Sequence, residues 1–149
     1  MVLSLGDASS LEDLYQSKIL EFARLARNIE LLKDPNVSFT SRNPVCGDEV
    51  TIDLVINKDN IISHYGHKVR GCALCEASSG LLSKNVIGLN YYNSIKLKEN
   101  LSFWLNNKLE KYTFSEIENF SPVKKFKNRY KCVLLSFDAL QGACKEHKN

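Results

Sequence analysis

Apolar residues recur at helical spacing from Leu11 through Leu14, Tyr15, Ile19, Phe22, Leu25 and Ala26 to Ile29, which predicts an amphipathic helix. Ser9 and Glu12 stand where a capping box would open it, and Asp34-Pro35-Asn36 would end it. The period then changes to two. Residues 37–42 form a short β-rich run, and VTIDLVI over 50–56 sets Val50, Ile52, Leu54 and Ile56 on one face. A third strand over 61–70 follows Asn57-Lys58-Asp59-Asn60, a run of turn formers so short that the two strands must be antiparallel.

After Gly71 the helical period returns at Leu74, Ala77, Ser78, Leu81, Leu82 and Val86, with a stop at Gly88. A further helix is expected from Ser94 to Leu109, carrying Leu101, Trp104 and Leu105. Thr113 and Glu116 suggest a short one before Ser121-Pro122 breaks the chain. The last helix is expected to start near Cys132 and to bury Val133, Phe137 and Leu140. Strands grouped early and helices grouped late give an α+β class, a small antiparallel three-stranded sheet with helices packed on one face.

Composition narrows this without redirecting it. A chain of 149 residues with 44% hydrophobic and 25% charged residues is globular, not disordered or fibrous. It reads as a single domain over 1–149, fraying over about eight residues at the start and about five at the end. No apolar run reaches the roughly 18 residues of a membrane span. The start, MVLSLGDASS, lacks the basic and apolar regions of a secretory signal. The expectation is a cytoplasmic protein whose five cysteines are thiols or metal ligands, not disulfides.

The net charge of +3 is mild but uneven: residues 123–149 carry seven Lys/Arg against two acids. Lys124, Lys125, Lys127, Arg129 and Lys131 crowd into one stretch, which is either a solvated loop or a docking patch for an acidic partner. Aromatic and basic residues form no recognisable nucleic-acid module, so no nucleic acid is expected as a partner.

Three cysteines fall at element boundaries. Cys46 lies in a loop beside Gly47, which permits a tight turn, and Asp48 follows two positions on. Cys72 marks the strand-to-helix junction, and Cys132 the start of the last helix after the basic run. A thiol at a helix N-terminus or beside cations has a lowered pKa, which frees the thiolate as nucleophile or ligand. Three thiolates and a carboxylate suit tetrahedral zinc. Any single buried cysteine is also an ordinary core residue, and spacing alone does not bring these three together. Cys72-Ala-Leu-Cys75 opens two more readings, a thioredoxin-like redox pair or half of a zinc site. His64 and His67 point to opposite faces of a strand and read as surface residues. His147 falls in the fraying tail, and Cys144 on the apolar side of the last helix reads as core.

Three blocks taken together carry a resemblance: N-P-x-C-G-D at Asn43–Asp48, G-C-x-x-x-x-A-S-S at Gly71–Ser79, and R-x-K-C-x-x-L-x-x-x-A-L at Arg129–Leu140. They resemble the U-type iron–sulfur assembly proteins, which comprise IscU, SufU and the N-terminal domain of NifU, over about residues 12–142. The resemblance implies one metal site built from Cys46, Asp48, Cys72 and Cys132. Lys131 precedes the third cysteine where the IscU branch has His, and 59 residues separate Cys72 from Cys132; both details are similar to SufU. That branch implies Zn²⁺ at the site, persulfide sulfur from a SufS-type cysteine desulfurase, and Cys46 as sulfur acceptor. The same family also implies an alternative, a scaffold on which a [2Fe–2S] cluster is assembled and passed to downstream acceptor proteins. Three departures stand out. LEFARLARN replaces the usual end of the first helix, Cys75 stands where Ser is common and would add a ligand, and Gly80 follows the A-S-S stretch and is expected to be harmless.

Overall fold

The computed structural model describes residues 15–148. The elements run α1 (Ser17–Arg27), β1 (Val37–Asn43), β2 (Asp48–Ile56), β3 (Ile62–Arg70), α2 (Ala73–Asn85), a single turn α3 (Tyr91–Ser94), α4 (Leu97–Leu105), 3₁₀ segments Ser115–Lys125 and Lys127–Arg129, and α5 (Tyr130–Lys148). The strands form one antiparallel sheet in the order β1-β2-β3. Val50, Ile52, Leu54 and Ile56 all face the core, as the alternation of VTIDLVI requires. α5 packs across β1 and β2, while α2 packs between α1 and α5 and touches β3. The core joins these to Phe22, Trp104, Phe120 and Phe137. Among the described residues no helix is long and apolar enough to cross a membrane.

Helix boundaries account for most of the departures from the periodicity. The Ser9–Glu12 capping box lies outside the described residues. α1 ends at Asn28, well before Asp34-Pro35-Asn36, because residues 29–36 serve the sheet instead: the Leu32 N–H donates to Asp53 and the Asn36 side chain pairs with the Ile56 backbone. The expected helix over 94–109 is shorter, α4 over Leu97–Leu105, and the single turn α3 precedes it. Asn90 caps α3 through the Tyr92 N–H, and Asn107, with φ +60°, closes the chain after α4. Pro122 does not break the chain but sits inside the first 3₁₀ segment, where its fixed φ is acceptable. α5 starts at Tyr130, so Cys132 lies in its first turn.

Three residues also differ from expectation. His67 is buried beneath α1, its Nε2–H donating to the Ala26 carbonyl 2.9 Å away. His147 stacks edge-on against Tyr91 at 4.8 Å. Gly80 is required and not merely harmless, because a Cβ there would overlap the Phe22 backbone carbonyl and force α1 off α2. Cys144 is core, and burial pushes its thiol up to about 12.

Candidate metal centre

One end of the sheet gathers three chain segments. Asn43 and Asp48 are the last paired residues of the β1–β2 ladder, so Pro44–Gly47 is a hairpin loop. The Asn43 side chain accepts from the Val45 N–H and the Gly47 N–H returns to the Asn43 carbonyl at 2.8 Å. Gly47 takes φ +77°, a conformation open to glycine. Asp48 therefore begins β2 with its carboxylate fixed by the sheet, while Cys46 rides the loop in solvent. Cys72 is the N-cap residue of α2. The third segment is the first turn of α5, which Ser78 ties to α2 through its hydroxyl bond to the Val133 carbonyl.

Asp48, Cys72 and Cys132 come together there, with one ligand atom of each lying within 4.8 Å of the others. Asp48 is 8% exposed, and its Oδ2 is buried with no hydrogen-bond partner. An unmatched buried carboxylate oxygen is costly in an apolar surround and fits a site that completes its coordination with a cation. The Cys132 thiol donating to the Cys72 sulfur, together with the Leu74 and Cys75 N–H groups at the start of α2, holds Cys72 down to about 6. The shared proton and burial push Cys132 up. Two cysteine sulfurs beside a carboxylate form a donor set suited to zinc or iron. The residues present fit a metal.

The other candidates are placed differently. Cys46 lies outside the three-donor cluster but across a groove of about 340 Å³ from it, which Val45, Lys127, Arg129, Lys131 and Cys132 also line. Cys75 is fully buried one turn into α2, and burial pushes its thiol up. Lys124 is not a free cation: its ammonium sits 4.1 Å from the Trp104 ring centre and donates to Asn107. Lys125 and Lys127 are exposed. Two further residues of the motif blocks shape the site without being ligands. Asn43 folds the cysteine loop, as its Asn-Pro pair signals; Gly71 leaves room between Asp48 and Cys75, a role that only the fold reveals.

Fold and site together define a small α+β metal-binding domain. The chain belongs to the NifU-like N terminal domain family, which matches residues 14–148. It is similar to the zinc-dependent sulfurtransferase SufU of Bacillus subtilis, with 26% identity over 93% of this chain and 95% of that protein. It is also 26% identical to the iron–sulfur cluster assembly scaffold protein IscU of Thermotoga maritima, over 89% of this chain and 94% of that one. Among solved structures, a nitrogen-fixing NifU-like protein (N-terminal) from Brucella abortus superposes with a TM-score of 0.83 at 30% identity, over 93% of this chain and 99% of that chain.

Proposed function

We propose that this chain acts in iron–sulfur cluster assembly as a SufU-like, zinc-binding sulfur acceptor for a SufS-type cysteine desulfurase of the cytoplasm. The observation that carries the reading is the convergence of Asp48, Cys72 and Cys132 around an unpartnered carboxylate oxygen, with Cys46 exposed across the groove. Asp48, Cys72, Cys132 and Cys46 would hold the ion. Bound zinc would keep the thiolates deprotonated without a redox change of its own.

The reaction belongs to Cys46. Its thiolate attacks the outer sulfur of the desulfurase persulfide and the S–S bond of that persulfide breaks. The desulfurase cysteine leaves as thiolate, and Cys46 carries the new S–SH. A hairpin tip that reaches solvent suits such an approach; the helix starts that hold Cys72 and Cys132 do not. Lys127, Arg129 and Lys131 give the groove a positive rim, with exposed Lys125 nearby in the chain, that would steer an acidic partner surface. Charge reversal of Lys125 and Lys127 should slow association with the desulfurase and leave metal content unchanged.

The test is desulfurase turnover with persulfide mapping by mass spectrometry. Cys46→Ala should abolish both stimulation and the added sulfur; undiminished stimulation would reject the role. The similarity to the Thermotoga scaffold favours a second reading, assembly of a [2Fe–2S] cluster on the same residues. Anaerobic reconstitution followed by transfer of an intact cluster to an apo-acceptor would select it.

A further inference from the structure

Cys75 stands apart from the four residues that the motif blocks imply as ligands, yet it faces the same space. A methyl group on Gly71 would lie 3.0 Å from the Asp48 carboxyl carbon and 3.0 Å from the Cys75 sulfur, so Gly71 keeps open a small volume that both groups border. Asp48, more than nine-tenths buried, has its Oδ2 unpartnered at this place. Cys72 and Cys75 have the C-x₂-C spacing by which one chain turn chelates a tetrahedral ion, and both sit at the start of α2. Cys46 and Cys75 both lie outside the three-donor cluster, Cys46 on the exposed hairpin loop and Cys75 buried on α2.

We propose that Cys75 is a further protein ligand of the Asp48–Cys72–Cys132 site, closing a four-residue set while Cys46 is free to leave it. The inference rests on the metal-site reading above. Joining the set requires the Cys75 sulfur to move toward the three donors, and Gly71 places no side-chain atom between that sulfur and Asp48. A site of three ligands keeps an open position and exchanges its ion readily; a site of four is closed. With Cys75 in place, Cys46 could carry sulfur away from the centre without exposing the ion to loss.

Cobalt(II) titration of the full-length, metal-free, reduced chain tests this, because thiolate-to-cobalt charge-transfer intensity counts bound sulfurs. Cys46→Ser should take up one cobalt with the intensity of three thiolates and an affinity within about tenfold of the parent. Cys46→Ser/Cys75→Ser should fall to two thiolates and weaken by a further factor of about 100 or more. Cys46→Ser showing only two thiolates, and matching the double variant, would overturn the proposal. Should Cys75→Ser misfold by circular dichroism, Cys75→Ala makes the same comparison with no new polar group. Failure of the parent itself to bind cobalt would reject the metal site first, and this inference with it.

Discussion

His67 and Asp48 are both buried polar residues of this sheet, and their surroundings are opposite. His67 is 1% exposed. Its Nε2–H donates to the Ala26 carbonyl at 2.9 Å, which leaves Nδ1 to accept from the Tyr65 hydroxyl at 2.6 Å. Burial holds Tyr65 in its protonated, donating form. Every polar atom of that group is matched within the chain, so its work is to lock α1 onto β3. Asp48, at one end of the same sheet, has a buried oxygen with nothing to bond. Beside it stand the sulfurs of Cys72 and Cys132. A region that satisfies itself is structural, and a region left unsatisfied at the same depth is built for something the chain does not supply.

The contrast is open to attack from its structural side first. Gly80→Val drives a side chain into the Phe22 carbonyl and separates α1 from α2. It should cost about 3 kcal/mol or more and be visible as a large drop in the denaturation midpoint. His67→Ala strands the Ala26 carbonyl and the Tyr65 hydroxyl together, for about 2–4 kcal/mol. In urea titrations that loss should occur with metal stoichiometry unchanged, since His67 lies outside the donor cluster. If His67→Ala released metal, the two regions would be one.

Asp48→Ala should behave the other way round. In the metal-free chain it removes an unmatched carboxylate, so stability should stay within about 1 kcal/mol of the parent, on the stabilising side. Added zinc should stabilise the parent by about 2.7 kcal/mol at a hundredfold excess over Kd and leave the variant unmoved. Thermal melts with and without zinc read both halves. A large metal-free destabilisation would mean that Asp48 is a structural residue after all.

The smallest effect is a pH slope. Burial depresses the folded-state pKa of His67 below its ordinary 6.5. The unfolded chain therefore takes up the proton first as pH falls. The stability contributed by the neutral ring is complete above about pH 6.5 and is lost as pH falls from there through the depressed folded value. Urea midpoints between pH 7 and 5 should decline in the parent, and less steeply in His67→Gln. Equal slopes would show that His67 titrates normally.

How much of this was legible in the sequence depended on the range of the cause. The sheet was, because VTIDLVI alternates and Asn57–Asn60 can only turn. Helix ends were less so: α1 stops early for the sake of hydrogen bonds to Asp53 and Ile56, partners twenty or more residues away. Pro122 reads as a breaker in any α-helical pattern, yet a 3₁₀ turn accepts it. His67 reads as a surface residue from its strand position, and only the fold, which brings the Ala26 carbonyl near the end of α1 against it, shows it buried. For the site, the motif blocks named the residues, but the spacing of Cys46, Cys72 and Cys132 could not bring them together. The three-dimensional arrangement adds a distinction that the blocks do not contain, between three donors held by element starts and a fourth cysteine on a hairpin tip.

The central claim is that Asp48, Cys72 and Cys132 are the fixed part of a metal centre. Native mass spectrometry of the chain, purified without added metal under reducing conditions, tests it most directly. The parent should carry one zinc or iron per chain and Asp48→Ala should appear at the bare apo mass, with both proteins folded. A folded parent at its apo mass, unchanged after incubation with zinc, would contradict it.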